Sequence, residues 1–315
     1  MQPSRTSIWV AAARAFGARE PDSRIRNPDW LAEKLLGPDE LTLLGDSPIP
    51  GALSMPYEEA SKNFEVLAAA RTLLPRTHFI DERLEAAVHD GAKQVVILGA
   101  GFDSRAYRFA DRLQAARVFE VDQPATQQVK MRRVREALGQ PPSNLTYVPV
   151  DFRHDKLGDA LANAGYRSDQ KSFFIWEGVT MYLPEEAVKE TLRWVAGNSA
   201  PGSAIVFDYT YETMIRMMGN IDLEKLPEMA KQAVLRFRRL TAGEPWIFGL
   251  PDKGEEEFLR GVGLTPRKVL GMNSAESVEK YLTRQDGTIF ASFPATEQQG
   301  YFILEAEVAS TRPLS

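Results

Sequence analysis

The sequence predicts an α/β protein with an open, doubly wound, mostly parallel sheet of seven strands. Five short and mostly apolar runs occupy the middle of the chain, which is typical of strands that helices cover on both faces. Segments of helical periodicity separate these runs, the clearest at 185–198, and indicate right-handed β-α-β units. Two later strand-like segments are expected to add an antiparallel pair at one edge. The five runs are residues 94–98, 118–121, 145–150, 173–176 and 204–209, and the later segments are 264–271 and 299–309.

The N-terminal part of the chain contains no strand pattern. We expect residues 1–92 to form a helical segment that covers the functional site, and residues 93–315 to form the sheet domain. Pro75 is expected to interrupt the helical pattern, because proline lacks the amide hydrogen that a helix interior needs. Helices are predicted at 7–16, 29–36, 57–74 and 79–90, and a loop rich in glycine and proline at 45–56.

Two helical stretches between and after the strands carry further predictions. Residues 123–138 include a basic run, 130–135, which we interpret as a solvated helix face rather than a nucleic-acid site. Residues 211–248 follow the fifth strand, and we expect them to form a helical insertion that covers the substrate. Methionine is flexible and would give this cover an adaptable apolar surface. The methionines concerned are Met214, Met217, Met218 and Met229.

Composition and charge exclude several classes of protein. With 43% hydrophobic and 26% charged residues, the 315-residue chain is not largely disordered. Its net charge of −5 argues against a general nucleic-acid binder. The chain has no cysteine and its three histidines form no metal-binding pair, so we predict no metal site. No apolar run reaches the roughly 18 residues of a membrane span, so we expect a cytoplasmic protein without a membrane partner.

A glycine loop, Gly99-Ala100-Gly101, follows the first strand directly. Glycines at this strand end let the backbone turn tightly and approach a ligand closely. A dinucleotide-binding loop would have a third glycine where this sequence has Ser104, and Asp103 would place a negative charge beside the pyrophosphate. The loop therefore disfavours NAD and FAD and suits a cofactor without phosphates. Simple termination of the strand is the structural alternative.

Acidic residues end the second and third strands of the predicted sheet. Asp122 is placed to accept hydrogen bonds from both hydroxyls of a ribose. Asp151 ends the third strand, where its carboxylate could accept a hydrogen bond from an adenine amino group, with Phe152 beside the ring. Helix capping is the structural alternative for both aspartates. An adenosine site without phosphate recognition indicates S-adenosyl-L-methionine.

Four motifs, in this order and spacing, resemble those of the leucine carboxyl methyltransferase family. They are QVVILGAGFDSRAYRF at 94–109, FEVDQP at 119–124, VDFR at 150–153 and WEGVTMYLP at 176–184. The family includes protein phosphatase carboxyl methyltransferases and tetracenomycin-type polyketide O-methyltransferases, and the resemblance extends over about residues 60–310. It implies a Rossmann-like class I methyltransferase core of seven strands that binds S-adenosyl-L-methionine.

The resemblance also implies which residues bind the cofactor. Glu177 would face its methionine part and the reaction centre. Arg76 lies in a segment that resembles the one whose arginine binds the cofactor carboxylate, and Arg71 is the alternative. Arg5 or Arg14 would close over the cofactor from the N-terminal segment. The other residues implied are Gly99, Ala100, Gly101, Asp103, Asp122, Gln123, Asp151 and Phe152.

Glu177, Tyr182 and Tyr209 are the predicted catalytic residues. The two tyrosines stand near the ends of the fourth and fifth strands, where they could orient an acceptor, and ordinary packing is the alternative. His78 and His154 lie near relevant loops, but neither is a clear general base. A carboxylate is ionised at pH 7 and needs no base, so this lack favours a carboxylate acceptor over a phenol.

The function expected from these features is that of an S-adenosyl-L-methionine-dependent O-methyltransferase. Its acceptor would be a carboxylate or hydroxyl of a small natural product or of a peptide C-terminus. An N- or C-methyltransferase and a cofactor-binding protein without catalysis are the alternatives. An NAD-dependent oxidoreductase fits less well, because Asp103 and Ser104 stand in the glycine loop. The sequence predicts no oligomeric state.

Overall fold

The computed structural model describes residues 3–151, 155–291 and 300–309, except the side chain of Met229, and contains one seven-stranded sheet. The strand order is β3-β2-β1-β4-β5-β7-β6, with β1 to β5 parallel and β7 antiparallel to β5 and β6. The predicted doubly wound α/β fold and its antiparallel edge are confirmed. The strands are β1 (Gln94–Leu98), β2 (Arg117–Asp122), β3 (Leu145–Pro149), β4 (Ser172–Trp176), β5 (Ala204–Thr210), β6 (Leu264–Gly271) and β7 (Tyr301–Val308).

Thirteen α-helices lie within the described residues, and none of them is both long and apolar enough to cross a membrane. They are α1 (Arg5–Gly17), α2 (Pro38–Thr42), α3 (Ile49–Leu53), α4 (Tyr57–Ala60), α5 (Phe64–His89), α6 (Arg105–Arg108), α7 (Pro124–Leu138), α8 (Leu157–Asn163), α9 (Glu185–Gly197), α10 (Glu212–Gly219), α11 (Glu228–Leu240), α12 (Glu255–Gly261) and α13 (Ala275–Ser277). Short 3₁₀ turns cover Glu33–Leu35, Thr180–Tyr182 and Leu223–Lys225, and a π-helical turn covers Val278–Leu282.

Helix α5 corrects the prediction of two helices, 57–74 and 79–90, separated at Pro75. The structure has one helix of 26 residues that continues through the buried Pro75. Asn63 caps its start, because its side-chain oxygen accepts hydrogen bonds from the two amides of Glu65 and Val66 at 3.0 and 3.2 Å. The burial of one long face therefore outweighs the loss of one backbone hydrogen bond at the proline.

Two shorter segments near the N-terminus also differ from their predictions. The predicted loop 45–56 contains helix α3, whose first turn holds Pro50. Proline is favourable in a first helical turn, because its amide has no partner there and its φ angle already suits the helix. The predicted helix 29–36 is reduced to the 3₁₀ turn Glu33–Leu35.

Two hydrophobic clusters cover the two faces of the sheet. Side chains alternate along a strand. Val95 and Ile97 therefore point to the face on which α1 and α5 pack, whereas Val96 and Leu98 point to the face covered by α8, α9 and α12. The helical N-terminal residues thus share a core with one face of the sheet.

Helix α7 buries part of the basic run that the sequence predicts to be solvated. Lys130 and Glu120 are each 1% exposed, and Lys130 Nζ lies 2.8 Å from Glu120 Oε1. The Tyr107 hydroxyl donates a hydrogen bond to the other oxygen of Glu120 at 3.2 Å. A buried lysine needs such a partner, so the solvated interpretation is wrong for Lys130. Arg132, which is half exposed, fits it better.

The Glu120 carboxyl gives the stability of the fold a specific pH dependence. Burial raises its pKa to about 7, against an ordinary value of 4.5. The folded state retains a proton that the unfolded carboxyl releases, so this stabilisation is complete below pH 4.5 and is lost as the pH rises through 7. We expect Glu120→Gln to remove at most about 3 kcal/mol of this pH dependence. Urea unfolding of both proteins at several pH values measures it, and identical pH profiles would contradict the assignment.

Candidate active site

A cavity of about 1090 Å³ opens at the carboxyl ends of the parallel strands. Leu98 ends β1, Asp122 ends β2, Glu177 follows β4 and Thr210 ends β5, and all four line the cavity. Helices α1, α5, α10 and α11 complete its walls. The cavity lies where β1 and β4 are neighbours and the winding of the sheet reverses, the usual ligand site of such sheets. Its volume exceeds the range of about 300–1000 Å³ typical of single small-molecule pockets, so it has room for two ligands.

The glycine loop between β1 and α6 adopts a backbone conformation that suits glycine. Gly99 and Gly101 have φ angles of +63° and +43°, in the left-handed region that other residues avoid. A Cβ atom on Gly99 would collide with the Val179 side chain, which follows β4. The predicted loop residues Gly99, Ala100 and Gly101 all line the cavity.

The Asp122 carboxylate is fixed by two backbone amides at the cavity wall. One oxygen accepts a hydrogen bond from the Gly101 N–H, and the other accepts one from the Gln123 N–H at 2.6 Å. Each carboxylate oxygen can accept a second hydrogen bond, so the group can bind two neighbouring hydroxyls. Burial raises the pKa of Asp122. Gln123, which is predicted to bind the cofactor, also lines the cavity.

The adenine end of the predicted site is only partly described. Asp151 is half-buried and is not among the described residues that line the cavity. Its backbone N–H donates a hydrogen bond to the Asp155 carboxylate at 2.8 Å. Phe152 and His154 lie outside the described residues. The adenine roles of Asp151 and Phe152 stay predictions.

Glu177 lies between two buried arginines at the cavity wall. One of its oxygens is 2.8 Å from Arg76 Nε, and the other accepts a hydrogen bond from Arg105 Nη1 at 2.6 Å. Burial alone would raise the pKa of Glu177, but the charges of Arg105 and Arg76 outweigh it and hold the pKa well below the usual range. Glu177 is therefore ionised and a weak proton acceptor, and it is suited to face a cationic group.

Arg76 itself is oriented by Asp208 and Tyr301, two residues that the sequence analysis missed. Its Nη1 atom donates to Asp208 Oδ2 at 2.8 Å and to the Tyr301 hydroxyl at 2.7 Å. Asp208 also accepts the Gly178 N–H at 2.6 Å. Within the described part of the chain, the buried Nη2 atom of Arg76 has no hydrogen-bond partner. Arg76 is among the residues that line the cavity.

The other arginines predicted to bind the cofactor differ in their position relative to the cavity and in their hydrogen bonds. Arg14 of α1 lines the cavity, and its buried Nε atom has no hydrogen-bond partner among the described residues. Arg5 stands at the cavity mouth and donates to the Leu43 carbonyl at 2.9 Å. Arg71, the alternative to Arg76, donates to the Phe290 carbonyl at 2.7 Å and is not among the described lining residues. Arg14 and Arg76 are therefore the best-placed cations.

Arg105 connects the cavity wall to a cluster of buried charges beneath it. Its guanidinium contacts Asp81, Asp103 and Glu177, and both oxygens of Asp103 are bonded to groups of Arg105. Arg108 forms an ion pair with Asp81 at 2.9 Å. Asp103 lines the cavity, but its carboxylate is committed to Arg105. Asp103 therefore helps to position Arg105 beside Glu177, and its contact with the cofactor stays a prediction.

Of the two predicted catalytic tyrosines, only Tyr182 is among the described residues that line the cavity. Tyr182 lines the cavity, where its ring packs nearly perpendicular to that of Trp246, with 6.5 Å between centroids. Tyr209 points to the opposite face, donates to Glu255 at 2.7 Å and stacks on Phe302. Because side chains alternate along β5, it is the neighbouring Asp208 that faces Arg76. The catalytic prediction for Tyr209 is wrong.

Neither of the two described histidines, His78 and His89, is among the residues that line the cavity. His78 is not among the described lining residues, and its ring stacks on Tyr281 with its Nε2 atom 3.1 Å from the Arg26 carbonyl oxygen. His89 is exposed at the end of α5.

Comparison with known proteins identifies relatives along most of the chain. Residues 7–196 match the family model described as leucine carboxyl methyltransferase. A Bacillus subtilis protein is 31% identical over 273 residues, which are 84% of this chain and 86% of that protein. A Mycolicibacterium smegmatis protein is 33% identical over 264 residues, 82% of each chain. Both relatives carry the provisional name S-adenosyl-L-methionine-dependent methyltransferase. A solved structure from Thermobifida fusca, described as a provisional methyltransferase, is 16% identical over 94% of both chains, with a TM-score of 0.47.

Proposed function

This chain belongs to the leucine carboxyl methyltransferase family and is an S-adenosyl-L-methionine-dependent methyltransferase, and on that premise we propose that it methylates oxygen. The family and cofactor predicted from the four motifs are confirmed. The proposed acceptor atom is a carboxylate or hydroxyl oxygen of a small molecule or peptide C-terminus, and the cavity favours the carboxylate. When bound, the cofactor supplies a methyl group on a positively charged sulfur.

The described residues fit this cofactor at three points. Asp122 would accept hydrogen bonds from the ribose hydroxyls. The unpartnered donors of Arg76 and Arg14 would bind the carboxylate of the methionine part. Glu177 would bind its ammonium group, because this carboxylate is ionised and lines the cavity. Residues at both ends of the cofactor would thus set the position of the sulfur between them.

The charge of the buried cluster also suits a cationic ligand. It contains five carboxylates and four guanidiniums, which leaves one net negative charge in a region of low solvent exposure. A sulfonium centre carries the compensating positive charge. The members are Asp29, Asp81, Asp103, Glu177 and Asp208 with Arg14, Arg76, Arg105 and Arg108.

The residue types at the described cavity wall support a carboxylate acceptor. Among the described residues, no histidine, lysine or cysteine lines the cavity. Each of its carboxylates has a hydrogen-bond or ion-pair donor. A carboxylate acceptor is already ionised near pH 7, whereas a phenol or an amine has a proton to lose. The carboxylates are Asp46, Glu65, Asp103, Asp122, Glu177 and Glu244.

In this account the residues act by position rather than by proton transfer. Methyl transfer needs the acceptor oxygen, the methyl carbon and the sulfur in line, and such alignment can supply several kcal/mol. Tyr182 and Trp246 stand at the same cavity and would exclude water from the acceptor. Tyr182 would also orient the acceptor with its hydroxyl.

The stability of the product in alkali tests the proposal. The enzyme is incubated with methyl-labelled S-adenosyl-L-methionine and separate panels of carboxylic acids, phenols and amines. A methyl ester releases labelled methanol in mild alkali, whereas a methyl ether or a methylamine does not. We expect release of methanol from a carboxylic acid product. Transfer of label to amines alone would contradict O-methylation, and transfer to phenols alone would contradict the preference for a carboxylate.

Substitution of Asp122 by alanine should weaken cofactor binding at least tenfold. The ribose hydroxyls would lose a buried charged acceptor, which costs about 1–3 kcal/mol. Calorimetric titration with S-adenosyl-L-homocysteine measures the affinity. Asp46→Ala is the control, because this cavity carboxylate pairs with Arg239 at the protein surface and should leave the affinity unchanged. Unchanged affinity in Asp122→Ala would refute the ribose assignment.

Deletion of the cover should separate cofactor binding from methyl transfer. Residues 213–246 are replaced by a short glycine-serine linker, which is feasible because Tyr211 and Leu250 are paired by a β-bridge. We expect methyl transfer to be lost while affinity for S-adenosyl-L-homocysteine stays close to that of the full chain. Loss of cofactor binding in a deletion variant with a native circular dichroism spectrum would show that the segment is not merely a substrate cover.

A further inference from the structure

The helices α10 and α11 expose an apolar face to the cavity. Of the residues Glu212–Gly219, all of them described, none is buried. Met214 and Met218, one helical turn apart, both line the cavity. Ala233 and Phe237 of α11 line it as well. An amphipathic helix is stabilised mainly by burial of its apolar face, so a ligand in the cavity would complete the packing of this cover.

The wall opposite the cover is apolar too. Trp9 of α1 and Phe64 of α5 line the cavity. Phe64 is 50% exposed and Ile247, near the end of the insertion, is 54% exposed, although both are large hydrophobic side chains. Exposed hydrophobic residues that cluster around one opening mark a binding surface. We name the region between these walls the apolar arm, which is lined by Trp9, Phe64, Met214, Met218, Ala233 and Phe237.

The charged residues beside the apolar arm form ion pairs with one another. The Arg236 guanidinium of α11 binds the Glu65 carboxylate of α5 through two hydrogen bonds, one of them 3.0 Å long. Arg239 of α11 forms a single ion-pair contact with Asp46, which also lines the cavity. A peptide in the arm would bury an N–H and a C=O at every residue, and each would need a partner. The arm therefore suits a hydrocarbon body better than a peptide.

We propose that the acceptor carries its carboxylate on an elongated aliphatic or aromatic body that lies in the apolar arm, between the cover helices and α1 and α5. The arm is continuous with the cofactor site, because Glu177 and Met218 line the same cavity. An acceptor of this shape would place its carboxylate at the cofactor end and its hydrocarbon body under α10 and α11. The proposal rests on the proposed function, since the carboxylate is taken from it.

A series of straight-chain carboxylic acids, from butanoic to hexadecanoic acid, tests the proposal. Each acid is titrated below its micelle concentration into the full chain saturated with S-adenosyl-L-homocysteine. Burial of each further methylene should lower the dissociation constant about fourfold until the arm is full. Affinity that does not depend on chain length, or no binding of any acid, would overturn the proposal. So would tighter binding of a peptide that ends in leucine.

Matched methionine variants show whether the acids bind in the arm. Met214→Gln combined with Met218→Gln should weaken binding of a long acid at least tenfold and leave butanoic acid unchanged. Met217→Gln is the control, because Met217 lies on the same helix, is 51% exposed and is not among the described lining residues. Equal effects of the double variant and the control would overturn the proposal. All variants should retain wild-type affinity for S-adenosyl-L-homocysteine, which confirms that they fold.

Failure of the apolar-acceptor proposal can be distinguished from failure of the proposed O-methylation. If alkali-labile label reaches a peptide C-terminus but no long-chain acid, oxygen methylation stands and the apolar acceptor is refuted. If label reaches only amines, the proposed function itself is refuted.

Discussion

Replacing Arg105 with methionine should lower the free energy of unfolding by about 3–5 kcal/mol. Arg105 is completely buried, and its guanidinium binds three carboxylates, one from the adjacent glycine loop and two from distant parts of the chain. Its Nε atom is 2.7 Å from Asp81, its Nη1 atom is 2.6 Å from Glu177, and it also pairs with Asp103. Methionine fills a similar volume but leaves these three charges buried without their common cation. Removal of one member of a buried ion cluster is costly for this reason.

Urea unfolding of wild type and Arg105→Met measures this effect. Arg112→Met is the control, because Arg112 is 61% exposed and its ion pair with Glu85 is at the surface. We expect the control to change stability by less than about 1 kcal/mol. A loss below about 1 kcal/mol in Arg105→Met would mean that the cluster does not depend on this guanidinium.

Substitution of Arg76 by lysine should weaken binding of S-adenosyl-L-homocysteine roughly thirtyfold, or about 2 kcal/mol. Lysine retains the positive charge, so Glu177 and Asp208 keep a cation. It cannot, however, reach both carboxylates and a ligand at once, because it lacks the planar set of five N–H donors. The donor that we assign to the cofactor carboxylate, Arg76 Nη2, would be lost.

The fragment 5′-methylthioadenosine separates this role from a general disturbance of the site. It retains the adenosine and lacks the amino acid part, so Arg76→Lys should bind it as tightly as wild type does. Arg236→Lys is a second control, because Arg236 lines the same cavity but pairs with Glu65. Equal weakening of both ligands in Arg76→Lys would show that Arg76 supports the site without contacting the carboxylate.

The strands and the loops at their ends could be predicted because their signals are local. A strand buried on both faces is mostly apolar, as in Gln94–Leu98 and Ser172–Trp176, where only the first residue is polar. Gly99, Gly101 and Asp122 follow or end such strands, so their places at the cavity follow from the strand assignments.

The continuity of α5 shows where local rules fail. Proline in a helix interior costs about 3 kcal/mol or more. Leu74, Phe79 and Ile80 are each at most 3% exposed and pack in the core beside α1. The burial of several such side chains, at about 1.5–3 kcal/mol each, exceeds the cost of the proline. This packing depends on residues far away in the chain and has no local signature.

The residues that hold Arg76 could be predicted only in part. Asp208 is a charged residue within the apolar run 204–209, and such an exception is a signal for a buried functional group. The catalytic role was instead predicted for Tyr209, the next residue, which points to the opposite face. Tyr301 gave no local signal, because it reaches Arg76 from the antiparallel strand β7.

The buried ion pairs could not be predicted from neighbouring residues in the sequence either. Arg105 belongs to the family motif, yet its partners Asp81 and Glu177 come from α5 and from the residue after β4. Lys130 belongs to a basic run that is typical of an exposed helix face, but its ammonium group is paired with the buried Glu120 carboxylate. Such pairs become visible only when the fold brings distant segments together.

Calorimetric titration with S-adenosyl-L-homocysteine, with NAD as the control ligand, tests the cofactor assignment. We expect micromolar binding of S-adenosyl-L-homocysteine and no binding of NAD, because the glycine loop is followed by Asp103 and Ser104 instead of a third glycine. Binding of NAD, or failure to bind S-adenosyl-L-homocysteine, would contradict the assignment of Gly99, Gly101 and Asp122 to a cofactor without phosphates.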